Sequence, residues 1–469
     1  MRLLLAGDIH IGRTSSRVGA IEHRQGFRSD LLQAAAAWHR MVDLAIEQAV
    51  DLVLLSGDIA DEDNRFWEAI GPLERGVERL AERGIATVAV AGNHDHDVLG
   101  RLANHLDARK FRLLGRGGRW ERHTIERDGR AVLHLDGWSF PQSHFNINPL
   151  TRYDLPRDAT VPTLGLVHGD LDVSSSSYAP LSLSDLLQRG LSAWLLGHIH
   201  AERLAGGEAD GTPWVLYPGS PQALDPGETG RHGVWITELR HGGFTRPTHH
   251  QISTVWYERC AIDLTPATIG DEVDALVLEG TRQHAERIAA NAAGSPLAVI
   301  SLRLRLVGRT SIGGEVAKNV ARMVDATALE VSRSVTAEVN AVEVDTLPAI
   351  DLASCARSAT PPGALARLLL TLGDNEEGEA AVSAEGSAES AAAAEGLRLN
   401  EAELKSLMAE TRQALQGIGS RPAFAGLKTE PDDPFREVDD ATVRTYLRRQ
   451  ARALLTELTM QSDNAAPTH

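Results

Sequence analysis

At 469 residues, the chain is longer than a single compact core usually grows, which points to two or three domains. Its two cysteines, Cys260 and Cys355, lie far apart and exclude both a disulfide framework and a cysteine metal site, so the cytoplasm is the expected compartment; no apolar run reaches the ~18 residues of a membrane span. The net charge of −17 weighs against a nucleic-acid partner, but only weakly, because binding follows local charge and metal sites are themselves rich in carboxylates.

The chain opens on a short apolar run followed at once by Asp8 and His10, which reads as a first strand and not as a signal peptide. Strands are expected at Arg2–Ala6, Leu52–Ser56, Ile85–Ala91, Thr163–Val167, Ala193–Leu196, Trp214–Tyr217 and Val234–Leu239, each short, apolar and bounded by Gly, Asp or Pro. Leu31–Val50 and Pro72–Arg83 carry apolar residues at helical spacing, so the order implies an α/β layered domain. A second unit follows: a strand at Tyr257–Leu264, a helix over Ile269–Ala292, a half-buried strand in which Leu302, Leu304 and Leu306 alternate with Ser301, Arg303 and Arg305, a helix over Glu315–Ala328 and a strand at Val335–Val344. Residues 374–396 are Glu, Ala, Ser and Gly with almost no large apolar side chain and read as a flexible linker. Helices are expected on either side of it, at Ala364–Leu372, Asn400–Gln416 and Asp440–Met460.

Five short motifs each follow an expected strand: Asp8 and His10 (D-x-H), Asp58 (G-D), Asn93, His94 and Asp95 (G-N-H-D), His168 (H-G), and His198 with His200 (G-H-x-H). Loops at the C-terminal ends of strands are where α/β enzymes place their sites. The residue types suit phosphodiester cleavage. An anionic diester repels hydroxide, and two divalent cations about 3.5–4 Å apart neutralise it and activate a bridging water. Two such cations need a shared carboxylate and several further N and O ligands, which Asp8, His10, Asp58, Asn93, His168, His198 and His200 can supply. In D-x-H and H-x-H an extended backbone would put both side chains on one side. Taken singly the motifs are weak, and Asp58 or His168 alone would read as a turn residue or a structural histidine.

The ordered set resembles the signature of the calcineurin-like metallophosphoesterases over residues 1 to about 240. That resemblance implies an α/β fold, a four-layer αββα sandwich, with a small α+β cap domain and a helical C-terminal region. By it, Asp8, His10, Asp58 and His200 would hold one metal and Asp58, Asn93, His168 and His198 the other, with Asp58 bridging. His94 would contact the scissile phosphate and help the leaving oxygen depart, with Asp95 orienting its ring. Two divalent metal ions, most often Mn2+, are the implied cofactors.

Tyr217 to Pro221 reads Y-P-G-S-P and is followed by Glu228 and Gly233; with the His-Ile-Gly that follows Asp8, this resembles the SbcD-type DNA double-strand-break repair exonucleases. The domain plan implied is a nuclease domain over 1–250, a cap over 254–346, a connecting helical segment over 347–373, the linker over 374–396 and a helical region over 397–469 that would grip an SMC-like coiled-coil ATPase of the SbcC type. DNA is then the expected partner, a homodimer is implied, and no membrane contact is expected. The position three residues after Asp58, a histidine in some relatives, is Asp61 here. Arg303 and Arg305 could face substrate phosphates or be an ordinary solvated sheet face. His96, His105, His249 and His250 read as surface residues or as supports for the ligands. The leading expectation is a metal-dependent DNA nuclease, a 3′-to-5′ exonuclease with endonuclease activity. The alternatives are a small-molecule phosphodiesterase or phosphatase, which the acidity favours, and a non-catalytic scaffold tethering an ATPase to DNA.

Overall fold

The computed structural model describes residues 1–18, 28–61, 69–241, 243–310, 312, 316, 328–373, 398–419 and 439–465. The linker expected over 374–396 and nearly all of the helix expected over Glu315–Ala328 lie outside these residues. Thirteen strands build the site-bearing region: β1 (Arg2–Ala6), β2 (Leu52–Leu55), β3 (Ala86–Ala89), β4 (Phe111–Leu113), β5 (Glu121–Arg127), β6 (Arg130–Trp138), β7 (Thr163–His168), β8 (Ala193–Gly197), β9 (Arg203–Gly206), β10 (Trp214–Tyr217), β11 (Gly233–Arg240), β12 (Gly243–Phe244) and β13 (Thr248–Gln251). They form two sheets, one in the order β12-β11-β1-β2-β3-β4 with β13 also on β11, the other in the order β5-β6-β7-β8-β10-β9.

The central strands are parallel and buried on both faces, which is why they read as unbroken apolar runs. Along β1 the residues sort by parity. Leu3 and Leu5 enter a core between the sheets with Leu52, Leu54, Leu135, Leu166 and Leu195. Leu4 and Ala6 turn the other way, onto Trp38, Met41 and Val77. Those three come from helices Ala34–Glu47 and Ile70–Glu82; the first buries Ala34, Ala37, Trp38, Met41, Val42 and Ala45, a single stripe at helical spacing. The outer face of the second sheet packs Trp138, Val167, Trp194 and Leu196 against Leu186 of the helix Leu183–Gln188. The layers therefore run helix, sheet, sheet, helix.

The apolar pattern of the sequence does not mark the β5–β6 hairpin, because β5 is charged and nowhere fully buried. Its turn is marked all the same. Asp128 and Gly129 both have positive φ, 52° and 72°, the Asp-Gly pair that a two-residue hairpin loop favours. On β6, Asp136 is fully buried and accepts two hydrogen bonds from Arg122, each of 2.7 Å, with a third from the Tyr153 hydroxyl. Asp136→Ala would leave the Arg122 guanidinium without its counter-charge at a largely buried position. A stability loss of about 3–5 kcal/mol is expected, read as a lower urea midpoint; a loss below about 1 kcal/mol would contradict this account.

A further sheet orders the strands Val255–Asp263, Val299–Val307, Thr336–Val344 and Ala328–Glu330. Leu302, Leu304 and Leu306 are buried as expected, Arg303 is half-buried and Arg305 exposed. The chain packs as two compact units, Met1–Ile262 with Val277–Arg305 and Asn319–Glu343, and Asp263–Leu276 with Leu306–Lys318 and Val344–His469, so the segment expected as a cap is shared between them. In the second unit, Val443, Leu447, Ala451 and Leu455 form a stripe of four-residue spacing. They pack with Leu369 and Leu372 of the helix Pro361–Leu372 and with Met408 and Leu415 of the helix Glu401–Gly419. Among the described residues no helix is long and apolar enough to cross a membrane.

Candidate metal centre

All five motifs leave strand ends on the same rim of the sandwich and converge. Three sets of side chains each bring their ligand atoms within 4.8 Å of one another: Asp8, His10 and His200; His10, Asp58 and His94; and Asp58, His168 and His198. Asn93 joins through its Oδ1, 3.0 Å from His168 Nε2. Asp8, Asp58 and His168 are buried at the floor. His94, His198 and His200 keep 31%, 18% and 24% of their side chains exposed, so the cluster opens to solvent on one side.

The backbone reaches this geometry by a route the pleat did not suggest. Neither D-x-H nor H-x-H is extended throughout, so the condition for the one-sided pleat is not met: Asp8, His10, Asp58 and His198 have φ of 52°, 51°, 49° and 104°. Left-handed backbone costs non-glycine residues roughly 1–3 kcal/mol each and gathers at functional sites. Backbone crowding accounts for two of the motif glycines. A Cβ at Gly92 would sit 2.1 Å from Asp58 Oδ1, and one at Gly197 would sit 2.1 Å from the Ser56 carbonyl oxygen.

Hydrogen bonds on the far side of the rings set their tautomers. His10 Nδ1 donates to Asp61 Oδ1 at 3.1 Å, His168 Nδ1 to the Ser56 carbonyl at 2.9 Å and His200 Nδ1 to Glu228 Oε1 at 2.7 Å. Each ring then turns its Nε2 inward, the nitrogen that binds a cation once it has given up its proton. His10 Nε2 and His200 Nε2 face each other at 3.0 Å, an opposition of lone pairs that a cation relieves. Asp8 Oδ1 accepts from the backbone of His198 at 2.8 Å, while its Oδ2 is buried without a hydrogen-bond partner among the described residues. This donor set of carboxylate, imidazole and amide oxygen fits divalent first-row cations.

The electrostatics agree. Burial works against the Asp58 carboxylate, but the charge and hydrogen bond of His168 and the charges of His10 and His94 hold it far below the usual range. Burial also opposes the His168 imidazolium, yet Asp58 and Asp8 raise it to about 9. His198 is pushed down to about 4, first by burial and then by the charge of His168.

Asp95 braces the backbone of the site. Its carboxylate accepts backbone amides of Ile59 at 2.6 Å, Ala60 at 3.3 Å and Gly92 at 2.8 Å, tying the G-D loop to the G-N-H-D loop. Burial and the nearby Asp58 charge push it up to about 7. The carboxylate found beside the His94 ring is that of Asp61, 3.7 Å from Nδ1. The supporting roles of Asp61, Glu228 and Asp170, the last 3.5 Å from His198 Nε2, were missed from sequence. Only the G-D-x-x-D spacing hinted at the first. Arg303 and Arg305 lie on the separate sheet described above, and Arg303 sits 4.0 Å from Glu343. His249, expected at the surface or supporting a ligand, has a side chain only 5% exposed.

Glu228 also accepts from Ser220 Oγ at 3.1 Å and from the backbone of Leu224 at 2.9 Å, so the His200 ring is held by an anchored carboxylate. Glu228→Gln should weaken metal binding about 10- to 100-fold, measured by competition with a chelator; unchanged affinity would mean that His200 is not a ligand.

The calcineurin-like phosphoesterase family matches residues 1–202. An uncharacterized metallophosphoesterase, YhaO of Bacillus subtilis, is 32% identical over 234 residues, 50% of this chain and 56% of that protein. DNA double-strand break repair proteins Mre11 of Aeropyrum pernix and Methanopyrus kandleri are 26% and 23% identical, over 48% and 52% of this chain and 54% and 55% of theirs. The chain thus spans little more than half the length of these curated relatives. Among solved structures, a dimetal phosphatase from Danio rerio aligns at 13% identity and a TM-score of 0.32, over 54% of this chain and 98% of that one. The E. coli phosphoesterase Yfce aligns at 17% identity and a TM-score of 0.25, over 53% and 99%. Both structural likenesses are too remote to carry weight. Residues 1–202 match the calcineurin-like phosphoesterase family, and within the site-bearing region a two-sheet α/β sandwich holds the cluster.

Proposed function

We propose that the chain is a metal-dependent DNA nuclease, a 3′-to-5′ exonuclease with endonuclease activity that acts in double-strand-break repair and uses two Mn2+ ions. The observation that carries the two-metal reading is the position of Asp58. Its carboxylate shares one ligand set with His10 and another with His168 and His198, as a bridging ligand must. The DNA reading is supported by similarity to two proteins whose names state a role in double-strand break repair. Asp8, His10, Asp58 and His200 would hold one cation, and Asp58, Asn93, His168 and His198 the other. When bound, such a pair supplies Lewis-acid neutralisation of the phosphoryl oxygens and an activated water.

The chain's own residues supply the rest. His94 stands at the open rim with its backbone N–H tied to Asp58 Oδ1 at 2.9 Å and the Asp61 carboxylate behind its ring. In this reading it would give a proton to the departing 3′ oxygen. Asp95 keeps the two loops that carry Asp58 and His94 in register. The proposal extends to partners: DNA, an SMC-like coiled-coil ATPase gripped by the C-terminal helices, and a second copy of the chain.

Metal-stripped protein reloaded with manganese tests the reading on 3′-labelled duplex DNA and on a small chromogenic phosphodiester. Manganese-dependent release of nucleotides supports the nuclease. Turnover of the small diester with DNA left intact would instead favour a small-molecule phosphodiesterase, which the net charge of −17 suits.

A further inference from the structure

A second polar cavity lies beside the metal cluster. It occupies about 430 Å³ between the edges of the two sheets, with Glu202, Arg203, Arg231, Arg246 and His249 around it and the Trp235 indole at its wall. Glu202 and Arg203 follow His200 by two and three residues, which puts the Arg203 Cα within ~10 Å of the His200 Cα. β9, which Arg203 opens, is the edge strand of one sheet, and β13, which carries His249, pairs with β11 of the other.

Three guanidinium groups meet here in a chain whose net charge is −17. Arg231 Nε donates to Glu202 Oε1 at 2.7 Å, and Arg203 lies 3.6 Å from Asp172. Arg246 has no carboxylate partner among the described residues. Its Nη1 donates to the carbonyls of Gly206 and Gly207 at 3.3 and 3.1 Å, which fixes the group while leaving its other donors for a ligand. Three cations against two carboxylates leave one net positive charge with oriented donors. The His249 side chain, 5% exposed, has no hydrogen-bond partner for Nε2 among the described residues. Burial and then the Arg231 charge push this imidazole down to about 3, so it stays neutral and can donate to an oxyanion at no cost in charge. Its Nε2 is 3.8 Å from Glu202 Oε2, which is also buried without a hydrogen-bond partner among the described residues and too far away to bond it.

We infer that this cleft is a phosphate subsite that takes a neighbouring phosphate of a polynucleotide whose scissile phosphate lies at the metal cluster. The inference rests on the nuclease reading and narrows it. In a duplex each strand rises ~3.4 Å along the helix axis per phosphate, and the phosphates themselves are spaced more widely, so a phosphate adjacent or nearly adjacent to the cleaved bond falls within reach of the cleft. A substrate with one phosphate cannot fill both places. Local positive charge beside the cluster also answers the repulsion that a chain this acidic exerts on a polyanion.

The test compares the full chain with its Arg231→Gln/Arg246→Gln double variant. Manganese-loaded protein is given a fluorescent ten-nucleotide single strand and, separately, the p-nitrophenyl ester of thymidine 5′-monophosphate. In the double variant the ratio of kcat/KM for the strand to that for the ester should fall about tenfold, and the plot of log affinity against log salt should flatten by about 1. Arg246→Gln alone, at an exposed position, should give roughly half of the change in slope. If the strand is cleaved and neither ratio nor slope moves, the subsite is wrong and the nuclease reading survives. If the unaltered chain hydrolyses the ester but neither binds nor cuts the strand, the nuclease reading falls and takes the subsite with it.

Discussion

Asp58→Asn is expected to release at least one of two bound cations and to lower phosphodiester hydrolysis on the order of 10³-fold. Asp58 Oδ2 lies 3.9 Å from His10 Nε2 and 3.4 Å from His168 Nε2, so the carboxylate belongs to both ligand sets. The amide removes a full negative charge from the floor and replaces one acceptor oxygen with a donor, which a cation cannot use. Its other oxygen accepts the His94 backbone N–H, a bond the amide oxygen of asparagine can keep while its NH2 faces the ligand sets. Elemental analysis of the purified variant gives the metal count, and single-turnover hydrolysis gives the rate. Two cations retained with a rate within tenfold of the parent would remove Asp58 from the bridging role. The metal count reads this out even if the natural substrate is not DNA.

His94→Ala should act on the rate and leave the metals in place. Proton transfer by a positioned histidine contributes about 10²- to 10⁴-fold, and a loss of that size is expected on DNA, whose alkoxide leaving group needs a proton. A p-nitrophenyl diester has a leaving group stable as an anion and should lose far less. An equal loss on both substrates would point to metal displacement or misfolding and away from proton donation. The ring packs edge-on against His10 with centroids 4.9 Å apart and has 31% of its side chain exposed, so the substitution opens no sealed cavity in the core.

The parts of the site visible without coordinates were those written locally. Each candidate ligand ends a strand or follows one within four residues, and each strand is an apolar run that gives way abruptly to Asp, Asn or His. Chain order is enough to collect them, because parallel strands with crossovers bring every strand C-terminus to one rim. The layering was legible for the same reason: the run Leu3–Leu4–Leu5 is apolar at consecutive positions because both of its faces are covered. The β5–β6 hairpin was lost because a charged edge strand carries no such run, and its Asp128-Gly129 turn had to be read instead.

Local pattern along the chain carries the candidate ligands and the sheet scaffold that presents them. Packing between distant segments sets how each candidate ligand is aimed. Glu228 reaches His200 across 28 residues, Asp61 reaches His10 across 51 and the Ser56 carbonyl reaches His168 across 112. Asp95, next to His94 in sequence, bonds backbone amides of Ile59 and Ala60 at separations of 36 and 35. His249, one of many histidines along the chain, is buried beside Arg231 and Trp235. The physical reason is range: strand and ligand patterns repeat within a few residues, whereas a side-chain hydrogen bond depends on ångström-scale placement of segments joined only through the packed sheets.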